Sequence, residues 1–292
     1  MAGRTDYRSI QQGPWKIWVH DRLWTDSAWL SIQETVERRV RQDHPESIRL
    51  KLQGRSEDVF LKIYSPGGAG TGLKDLFRVS KALRHWQQSL ALSGCGFRVP
   101  TVIAVGEQRR FRRVERSFIL TEWTDATSVS TFLRGADSRA TPLGSTQKKR
   151  AYIRQLGYEI GRMHELGFVH GDLVLSNVLV GFHPHGPSFY YIDHDRTRRY
   201  PEWLPQTLWK RNLVQLNRLV VPGITLSDRM RFFRAYATAQ SKMRGLKPLG
   251  LLRWLESRTR RRRFECDGVA GNVSFRELMR WNGPYGDKRE IR

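Results

Sequence analysis

The 292-residue chain has little cysteine and no long apolar run. Its two cysteines, Cys95 and Cys266, lie far apart, and neither belongs to a Cys-x-x-Cys or Cys/His spacing. The sequence therefore predicts neither a disulfide framework nor a zinc site, and we expect two reduced thiols. No stretch reaches the roughly 18 apolar residues that cross a bilayer. Any membrane role would be peripheral.

Acidic residues are also scarce. The chain has 28 Asp and Glu against 51 Lys and Arg, which gives a net charge of +23. Of this excess, 15 charges lie between Arg196 and the C terminus, and the densest run is Arg258 with Arg260–Arg263. A polyanionic partner such as nucleic acid, phospholipid headgroups or phosphorylated glycan is expected. A solvated helix end is the alternative interpretation of the arginine run.

The N terminus lacks the features of a secretory signal. Residues Met1–Pro14 are polar and contain no apolar core before a small-residue cleavage site. We therefore expect a cytoplasmic protein. The hydrophobic fraction of 39% and the ten Trp residues are typical of a folded globular chain, and the length allows roughly two domains.

The apolar periodicity changes about halfway along the chain. Alternating apolar residues over 47–64 predict a β-hairpin, and a helix over 76–92 and strands over 102–105 and 118–121 follow. Helical spacing predicts a helix over 148–166, and two short strands follow at 178–180 and 189–192. Two further helices are predicted beyond them, over 208–220 and 227–243, the second with Ser227 as N-cap. The fold class is thus α+β, with a sheet-rich first half that has one helix and a mainly helical second half.

These patterns divide the chain into four segments. Residues 1–30 are a lead-in whose Trp15, Trp18 and Trp24 we expect to pack in a core. An N-lobe over 31–123 and a C-lobe over 124–257 follow, and a basic tail occupies 258–292.

Three polar residues near predicted strands form a set suited to phosphoryl transfer. Asp172 follows a helix and its turn, Asn177 lies five residues on before a short strand, and Asp193 ends the next strand. Phosphoryl transfer needs a carboxylate to orient and deprotonate a hydroxyl, and oxygen ligands to hold Mg²⁺ on the nucleotide phosphates.

A cation for those phosphates is available in Lys62, in the middle of the apolar strand VFLKIY. A charge in such a strand is costly unless an anion meets it. A position on the solvent face of the strand is the alternative.

This pattern resembles the protein-kinase-like superfamily. His170-Gly171-Asp172 with Asn177, Asp193 downstream and Lys62 upstream match its catalytic-loop, metal-binding and strand-lysine pattern. Three features narrow the resemblance: the form HGDLxxxN with IDHDR, the segment 209–213 and the segment 228–236. They are most similar to those of the lipopolysaccharide core kinases of the Kdo/WaaP family. The resemblance covers roughly residues 35–237 and implies a bilobal fold with an ATP-binding, β-rich N-lobe.

The resemblance also implies roles for individual residues. Asp172 would be the catalytic base, and His170 would brace the catalytic loop. Asn177 and Asp193 would bind Mg²⁺, and Lys62 would bind the ATP phosphates. The adenine would be held at the hinge, which ends with Glu122 and Trp123.

The family phosphorylates Kdo or heptose of the lipopolysaccharide inner core at the inner face of the cytoplasmic membrane, using ATP and Mg²⁺. The resemblance thus implies an anionic glycolipid acceptor and a peripheral location on that membrane. The arginine excess suits such a densely anionic surface. Kinase-like enzymes with a small-molecule or protein acceptor share the same HGDxxxxN element, so another acceptor is the alternative.

The sequence departs from the kinase pattern in three places. Residues 35–49 contain no glycine, although a glycine-rich loop should precede the lysine strand. No acid lies between Asp75 and Glu107, so the usual helix glutamate that pairs with the lysine is missing unless Asp75 or a distant acid supplies it. His194-Asp195 replaces the Phe-Gly after the metal-binding aspartate. A pseudokinase or anion-binding module is therefore an alternative hypothesis.

Two other classes of protein fit less well. The run Gly67–Lys74 imitates a P-loop, but Leu73 interrupts the motif and Asp75 replaces the Mg²⁺-binding hydroxyl, which favours a surface loop. A nucleic-acid-binding protein rests on charge, Trp and Arg alone, and no helix-turn-helix, zinc or RNP-type motif supports it.

Overall fold

A computed structural model describes residues 4–41, 47–52, 55–64, 79–133, 146–183, 186–201, 207–219, 224–243 and 248–267. The chain divides into two compact units. The N-terminal unit comprises Met1–Asp125 with Tyr190–Arg196, and the C-terminal unit comprises Ala126–Phe189 with Thr197–Arg292. The first unit is rich in sheet and the second in helix, as the sequence predicts.

The N-terminal unit is built on an antiparallel sheet of six strands in the order β1-β2-β5-β6-β4-β3. The predicted hairpin is confirmed as β3 and β4, in which Lys51 pairs with Asp58. The strands are β1 (Tyr7–Gln12), β2 (Trp15–His20), β3 (Ser47–Lys51), β4 (Asp58–Tyr64), β5 (Val102–Arg110) and β6 (Arg113–Glu122).

Residues 7–20, which the sequence placed in a lead-in, form two strands of this sheet. Their signal is the alternation of Trp15, Ile17 and Val19, whose side chains are all buried. The expectation that Trp15 and Trp24 pack in a core is confirmed, since both are buried.

Two helices, α1 (Ala28–Arg41) and α2 (Lys81–Gly94), cover the two faces of the sheet. The sequence predicted a single helix here, and α1 was missed. On β4, the residues Val59, Leu61 and Ile63 belong to the core beneath α1, whereas Tyr64 belongs to the core beneath α2. Because side chains alternate along a strand, Lys62 lies on the α2 side of the sheet.

Helix α2 begins later than the sequence predicted. Its N-cap is Ser80, whose Oγ accepts a hydrogen bond from the Leu83 N–H at 3.1 Å. A Ser side chain in this position satisfies a donor that the first helical turn leaves without a backbone partner. The preceding segment, which includes the glycine-rich run 67–74 and Asp75, lies outside the described residues.

The described residues of the C-terminal unit form the three predicted helices, two further helices and two small sheets. One sheet has the order β10-β9-β7, and the other pairs β11 with β8. The helices are α3 (Val129–Leu133), α4 (Thr146–Glu165), α5 (Thr207–Arg218), α6 (Leu226–Thr238) and α7 (Pro248–Asp267). The strands are β7 (Thr127–Ser128), β8 (Phe168–Val169), β9 (Val178–His183), β10 (Gly186–Tyr191) and β11 (Arg198–Arg199).

The N-cap of α6 is Thr225, and the prediction of Ser227 is wrong. Thr225 Oγ1 accepts a hydrogen bond from the Asp228 N–H at 3.2 Å, and Asp228 Oδ2 accepts one from the Thr225 N–H at 3.1 Å. This reciprocal capping box satisfies two backbone donors, which a Ser227 cap with Met230 three residues on could not do.

Helix α7 runs across the predicted start of the tail at residue 258. Arg263 in its last turns is buried, and its guanidinium donates to the Arg218 carbonyl at 2.9 Å and to the Asn217 carbonyl at 3.0 Å. These carbonyls end α5 and lack helical partners of their own, so Arg263 has a structural role. Arg258 and Arg260–Arg262 are exposed. Residues 268–292 lie outside the described residues.

Two glycines allow α4 to approach the backbone of α6 closely. A Cβ atom at Gly157 would lie 2.4 Å from the Phe232 carbonyl oxygen, and one at Gly161 would lie 2.5 Å from the Tyr236 carbonyl oxygen. Neither position can hold a side chain unless the two helices move apart.

We expect Gly161→Ala to lower the free energy of unfolding by about 1–3 kcal/mol, because overpacking forces the helices apart. Gly250→Ala is the control, since a Cβ there meets nothing within 4 Å. Urea unfolding of both variants checks the prediction. Equal stability of the two variants would contradict it.

Candidate active site

The strand lysine and the predicted metal-binding aspartate are paired in the N-terminal unit. Lys62 Nζ on β4 donates a hydrogen bond to Asp193 Oδ1, just beyond the end of β10. Both side chains are largely buried, with 23% and 30% of their surfaces exposed. Lys62 is therefore a partly buried cation that an anion meets, and the solvent-face alternative is wrong.

Asp193 has a strained backbone. Its φ is +67°, a value that non-glycine residues rarely adopt. Strain of this kind is kept where the surrounding structure requires it, and it often marks functional sites. Immediately after it, the His194 ring Nε2 donates to the Tyr191 carbonyl at 2.8 Å and so holds the turn.

Helix α2 contributes a histidine near this pair. Tyr64 Oη lies 2.9 Å from His85 Nδ1, and the His85 ring meets the His194 ring edge-on with centroids 5.6 Å apart. Burial and the charges of Asp195 and Asp193 raise the pKa of Tyr64 well above its usual value. Tyr64 therefore keeps its proton, and the tautomer of the His85 ring decides which of the two groups donates the hydrogen bond. The sequence analysis missed His85 because no spacing signals it.

A second carboxylate adjoins Asp193. Burial, followed by the charge of Asp193, raises the pKa of Asp195, and Lys62 and Arg196 oppose this rise. Within the described ranges, no cluster of three or more His, Cys, Asp or Glu could hold a metal ion. A metal here would need ligands from the nucleotide as well as from the protein, which is typical of Mg²⁺.

The predicted hinge residues are held by backbone hydrogen bonds. The Glu122 N–H donates to the Thr101 carbonyl at 2.9 Å, and the Trp123 N–H donates to the Asp58 carbonyl at 3.1 Å. The guanidinium of Arg49 lies 4.4 Å from the centre of the Trp123 ring. Any contact of Glu122 and Trp123 with adenine is therefore limited to their carbonyl groups and side chains.

The predicted catalytic loop lies between β8 and β9 of the C-terminal unit. His170 is completely buried, and its Nδ1 accepts a hydrogen bond from the Asp172 N–H at 3.2 Å. Asn177 Nδ2 donates to the Asp172 carbonyl at 2.9 Å and to Asp172 Oδ2 at 3.5 Å. The structure thus brings His170, Asp172 and Asn177 together, and Asn177 Oδ1 is the atom that could accept a cation.

The buried amide of Asn212 on α5 holds the backbone of this loop. Its Oδ1 accepts from the His170 N–H at 3.0 Å, and its Nδ2 donates to the His170 carbonyl. The sequence analysis noted the segment 209–213 only as part of the family resemblance.

Gln215, one turn further along α5, holds the rest of the loop. Its Nε2 donates to the Gly171 carbonyl at 3.2 Å and to Asp172 Oδ1 at 3.3 Å. Its Oε1 accepts from the Leu173 N–H at 3.1 Å and from Asn212 Nδ2 at 2.9 Å. Asn212 and Gln215 are three positions apart and so share one face of the helix. The sequence analysis missed Gln215.

A neutral histidine on α4 fixes the orientation of Asn212. His164 Nε2 lies 3.0 Å from Asn212 Oδ1, and His164 Nδ1 lies 2.9 Å from Tyr236 Oη. Because an amide oxygen only accepts, Nε2 carries the proton and Nδ1 accepts from the tyrosine. Burial lowers the pKa of His164 to about 4, so the ring adds no charge near the catalytic loop at neutral pH.

Comparison with known proteins assigns the family. The family model described as lipopolysaccharide kinase (Kdo/WaaP) matches residues 35–236. The chain belongs to this family. It is therefore a kinase, as the sequence predicts, and the resemblance is confirmed.

Two curated proteins are similar to the chain, one of them over most of its length. The chain is 26% identical over 262 residues to the lipopolysaccharide core heptose(I) kinase WaaP of Pseudomonas aeruginosa, covering 85% of this chain and 93% of that protein. It is 30% identical over 86 residues to the EKC/KEOPS complex subunit BUD32 of Gibberella zeae, covering 29% and 30% of the two chains.

A solved structure of WaaP in complex with acyl carrier protein matches this lipopolysaccharide kinase with a TM-score of 0.55 and 24% identity. The match covers 74% of this chain and 83% of that one. This likeness shows a shared fold, and the predicted α+β, kinase-like fold class is thereby confirmed.

The C-terminal unit of this family member also has an apolar cavity of about 800 Å³ that is partly open to solvent. Leucine and phenylalanine side chains of α4 to α7 line most of it, among them Leu156, Leu216, Phe233 and Leu252. The lining also includes charged side chains of both signs, namely Asp228, Glu256, Arg229, Arg253 and Arg260. The apolar majority of the lining suits an apolar ligand.

We expect Gln215→Leu to lower kcat by about tenfold or more, because Asp172 loses the donor that orients it. The KM for ATP should change little, since Gln215 does not touch Lys62 or its neighbours in the described residues. Arg211→Gln, exposed on the same helix, is the control. Steady-state kinetics of both variants check the prediction. Wild-type kcat in Gln215→Leu would contradict it.

Proposed function

We propose that this kinase transfers the γ-phosphate of ATP to a sugar hydroxyl of the lipopolysaccharide inner core, on Kdo or heptose. The observation that carries the proposal is the Asp172 carboxylate, which receives hydrogen bonds from two side-chain amides, those of Asn177 and Gln215. A carboxylate held in this way is suited to orient an acceptor hydroxyl. The likeness to a heptose(I) kinase over 93% of that protein supports the inner core as the source of the acceptor.

The reaction assigns a separate task to each charged side chain. Asp172 accepts the proton of the acceptor hydroxyl as its oxygen forms a bond to the γ-phosphorus. The bond between that phosphorus and the bridging oxygen of ADP breaks. Lys62 exchanges its contact with Asp193 for the ATP phosphates and stabilises the charge that develops on them.

The residues present fit Mg²⁺. Asp193 of the N-terminal unit has a carboxylate and Asn177 of the C-terminal unit has an amide oxygen, and each is a kind of ligand that Mg²⁺ prefers together with phosphate oxygens. When bound, Mg²⁺ would neutralise charge on the β- and γ-phosphates.

A peripheral position on the cytoplasmic face of the inner membrane completes the proposal. None of the described helices is both long and apolar enough to cross a membrane. The net charge of +23 favours contact with anionic lipid and with a phosphorylated glycolipid. Such association weakens as salt rises, because screening shortens the reach of exposed charges.

Phosphate transfer from labelled Mg-ATP to Kdo-lipid A and to a heptosylated core tests the proposal. We expect transfer to one of these acceptors and a loss of about 10²- to 10⁴-fold in Asp172→Asn, which lacks the base. Asp193→Asn should also lose Mg-ATP-dependent thermal stabilisation. Glu34→Gln, exposed on α1, is the matched control.

The outcomes separate the alternatives. Binding of Mg-ATP without transfer to either glycolipid would point to another hydroxyl acceptor. Failure to bind Mg-ATP would make the chain a pseudokinase, and the proposal would be wrong.

An acyl carrier protein is a second partner that we propose. The solved relative is a complex with such a protein, and the apolar cavity of this chain has the size and lining for an acyl chain. Arg253, which is exposed in the lining, would meet an anionic group next to that chain.

We expect Leu252→Trp, which fills the cavity, to weaken binding of an acylated carrier protein by about tenfold. The control is Leu249→Trp, a position on the same helix that is 69% exposed. Calorimetric titration with acylated and non-acylated carrier checks the prediction. Equal affinity for the two carrier forms would contradict it.

A further inference from the structure

The tip of the β5–β6 hairpin combines exposed arginine with an exposed aromatic ring. The five residues 109–113 read Arg-Arg-Phe-Arg-Arg, and all are exposed. Phe111 exposes 85% of its surface, the largest exposed fraction among the large apolar side chains of the described residues. A single exposed apolar residue is ordinary, but this one lies in a strained turn between arginines.

Phe111 and Arg112 are unfavourable residues for the backbone geometry of this turn. Arg110 pairs with Arg113, so Phe111 and Arg112 form a two-residue loop, with φ of +47° and +67°. Positive φ at both central residues is the mark of a type I′ turn, which favours Asn-Gly because other side chains crowd the backbone. The local fold therefore gains nothing from Phe111 and Arg112, and their side chains need another explanation.

The arginines around the turn are held in place. Arg109 Nε donates to Glu107 Oε1 at 2.7 Å, and Arg109 NH1 donates to the Arg112 carbonyl at 2.9 Å, which fixes the turn. The Arg110 guanidinium lies 5.7 Å from the centre of the Phe111 ring. The tip thus presents an exposed apolar wedge surrounded by positive charge.

We propose that this hairpin tip docks on an anionic lipid surface, with Phe111 in the interface and Arg110, Arg112 and Arg113 on lipid phosphates. The inference rests on the membrane location in the proposed function and adds the element that makes the contact. Aromatic rings favour the headgroup level of a bilayer, and arginines beside them gain from its negative potential. Together they give reversible attachment without a spanning helix.

The shape of the tip favours lipid over nucleic acid. Single-stranded nucleic acid is bound in basic grooves with several aromatic platforms in a row. Here one ring stands on a convex two-residue turn. A convex apolar side chain of this kind inserts into a lipid interface more readily than it binds a nucleic-acid strand.

The test exchanges the turn for the sequence that its geometry prefers. Phe111→Asn combined with Arg112→Gly removes the wedge and one arginine and relieves the strain, so the full-length variant should melt at a higher temperature than the wild type. We expect its affinity for phosphatidylcholine vesicles that contain phosphatidylglycerol to fall by about tenfold or more. Leu30→Ser, at a 73%-exposed position on α1, is the matched control and should bind these vesicles as the wild type does.

A second variant separates charge from the wedge. Arg110→Gln combined with Arg113→Gln keeps Phe111 and should also weaken binding by about tenfold, with the difference reduced at high salt. Vesicles of phosphatidylcholine alone should bind the wild type weakly. Mg-ATP-dependent thermal stabilisation should persist in both variants, so a loss of vesicle binding is distinguished from a loss of the kinase site.

Three results would overturn the inference. The first is unchanged vesicle binding by the turn variant. The second is a melting temperature of that variant below that of the wild type, which would show that the wild-type turn lacks the strain on which the inference rests. The third is binding of a short RNA that depends on Phe111 while anionic vesicles do not bind the wild type.

Discussion

The ion pair between Lys62 and Asp193 is the constraint on which the N-terminal unit depends. A lysine in an apolar strand is costly to bury, and a carboxylate at positive φ is costly to hold in place. Each compensates the cost of the other, and the pair joins β4 to the segment Tyr190–Arg196 of the same unit. Breaking a partly buried pair by removing one partner leaves an uncompensated charge, so both partners must be kept or replaced together. In the proposed function, a phosphate of ATP replaces Asp193 as the anion beside Lys62, and Mg²⁺ replaces Lys62 as the cation beside Asp193.

Helix α2 is tied to this pair without the usual acid. Tyr64 joins β4 to His85 of α2, and His85 packs against His194 next to the aspartate. This arrangement places no second negative charge beside Lys62 from the helix. Asp193 is consequently the carboxylate that binds the lysine. Helix α2 is held in its position by packing and by the hydrogen bond between Tyr64 and His85.

The catalytic loop of the C-terminal unit is positioned by neutral groups. Two amides, Asn212 and Gln215, bind four successive residues of the loop, and His164 stays uncharged because burial lowers its pKa to about 4. A neutral scaffold adds no charge beside the Asp172 carboxylate. It also keeps its hydrogen-bonding pattern across the neutral pH range.

Local patterns in the sequence predicted much of this molecule. The alternation over 47–64, the helical spacing over 148–166 and the HGDLxxxN element each depend on near neighbours, and each was found in place. His85 and Gln215 escaped prediction because their roles depend on contacts across 21 residues to Tyr64 and 43 residues to Asp172. The strands of the lead-in escaped because their alternation is short and rich in Trp. The cap of α6 was misplaced by two residues because both Thr225 and Ser227 are residues that favour N-caps. The hydrogen bonds between Thr225 and Asp228 place the cap at Thr225.

The most direct test of this account is a crystal structure of the chain with Mg²⁺ and a non-hydrolysable ATP analogue. The account predicts that Lys62 Nζ leaves Asp193 for the phosphate oxygens and that Asp193 and Asn177 bind the metal. A nucleotide that binds elsewhere, with Lys62 still on Asp193, would contradict it.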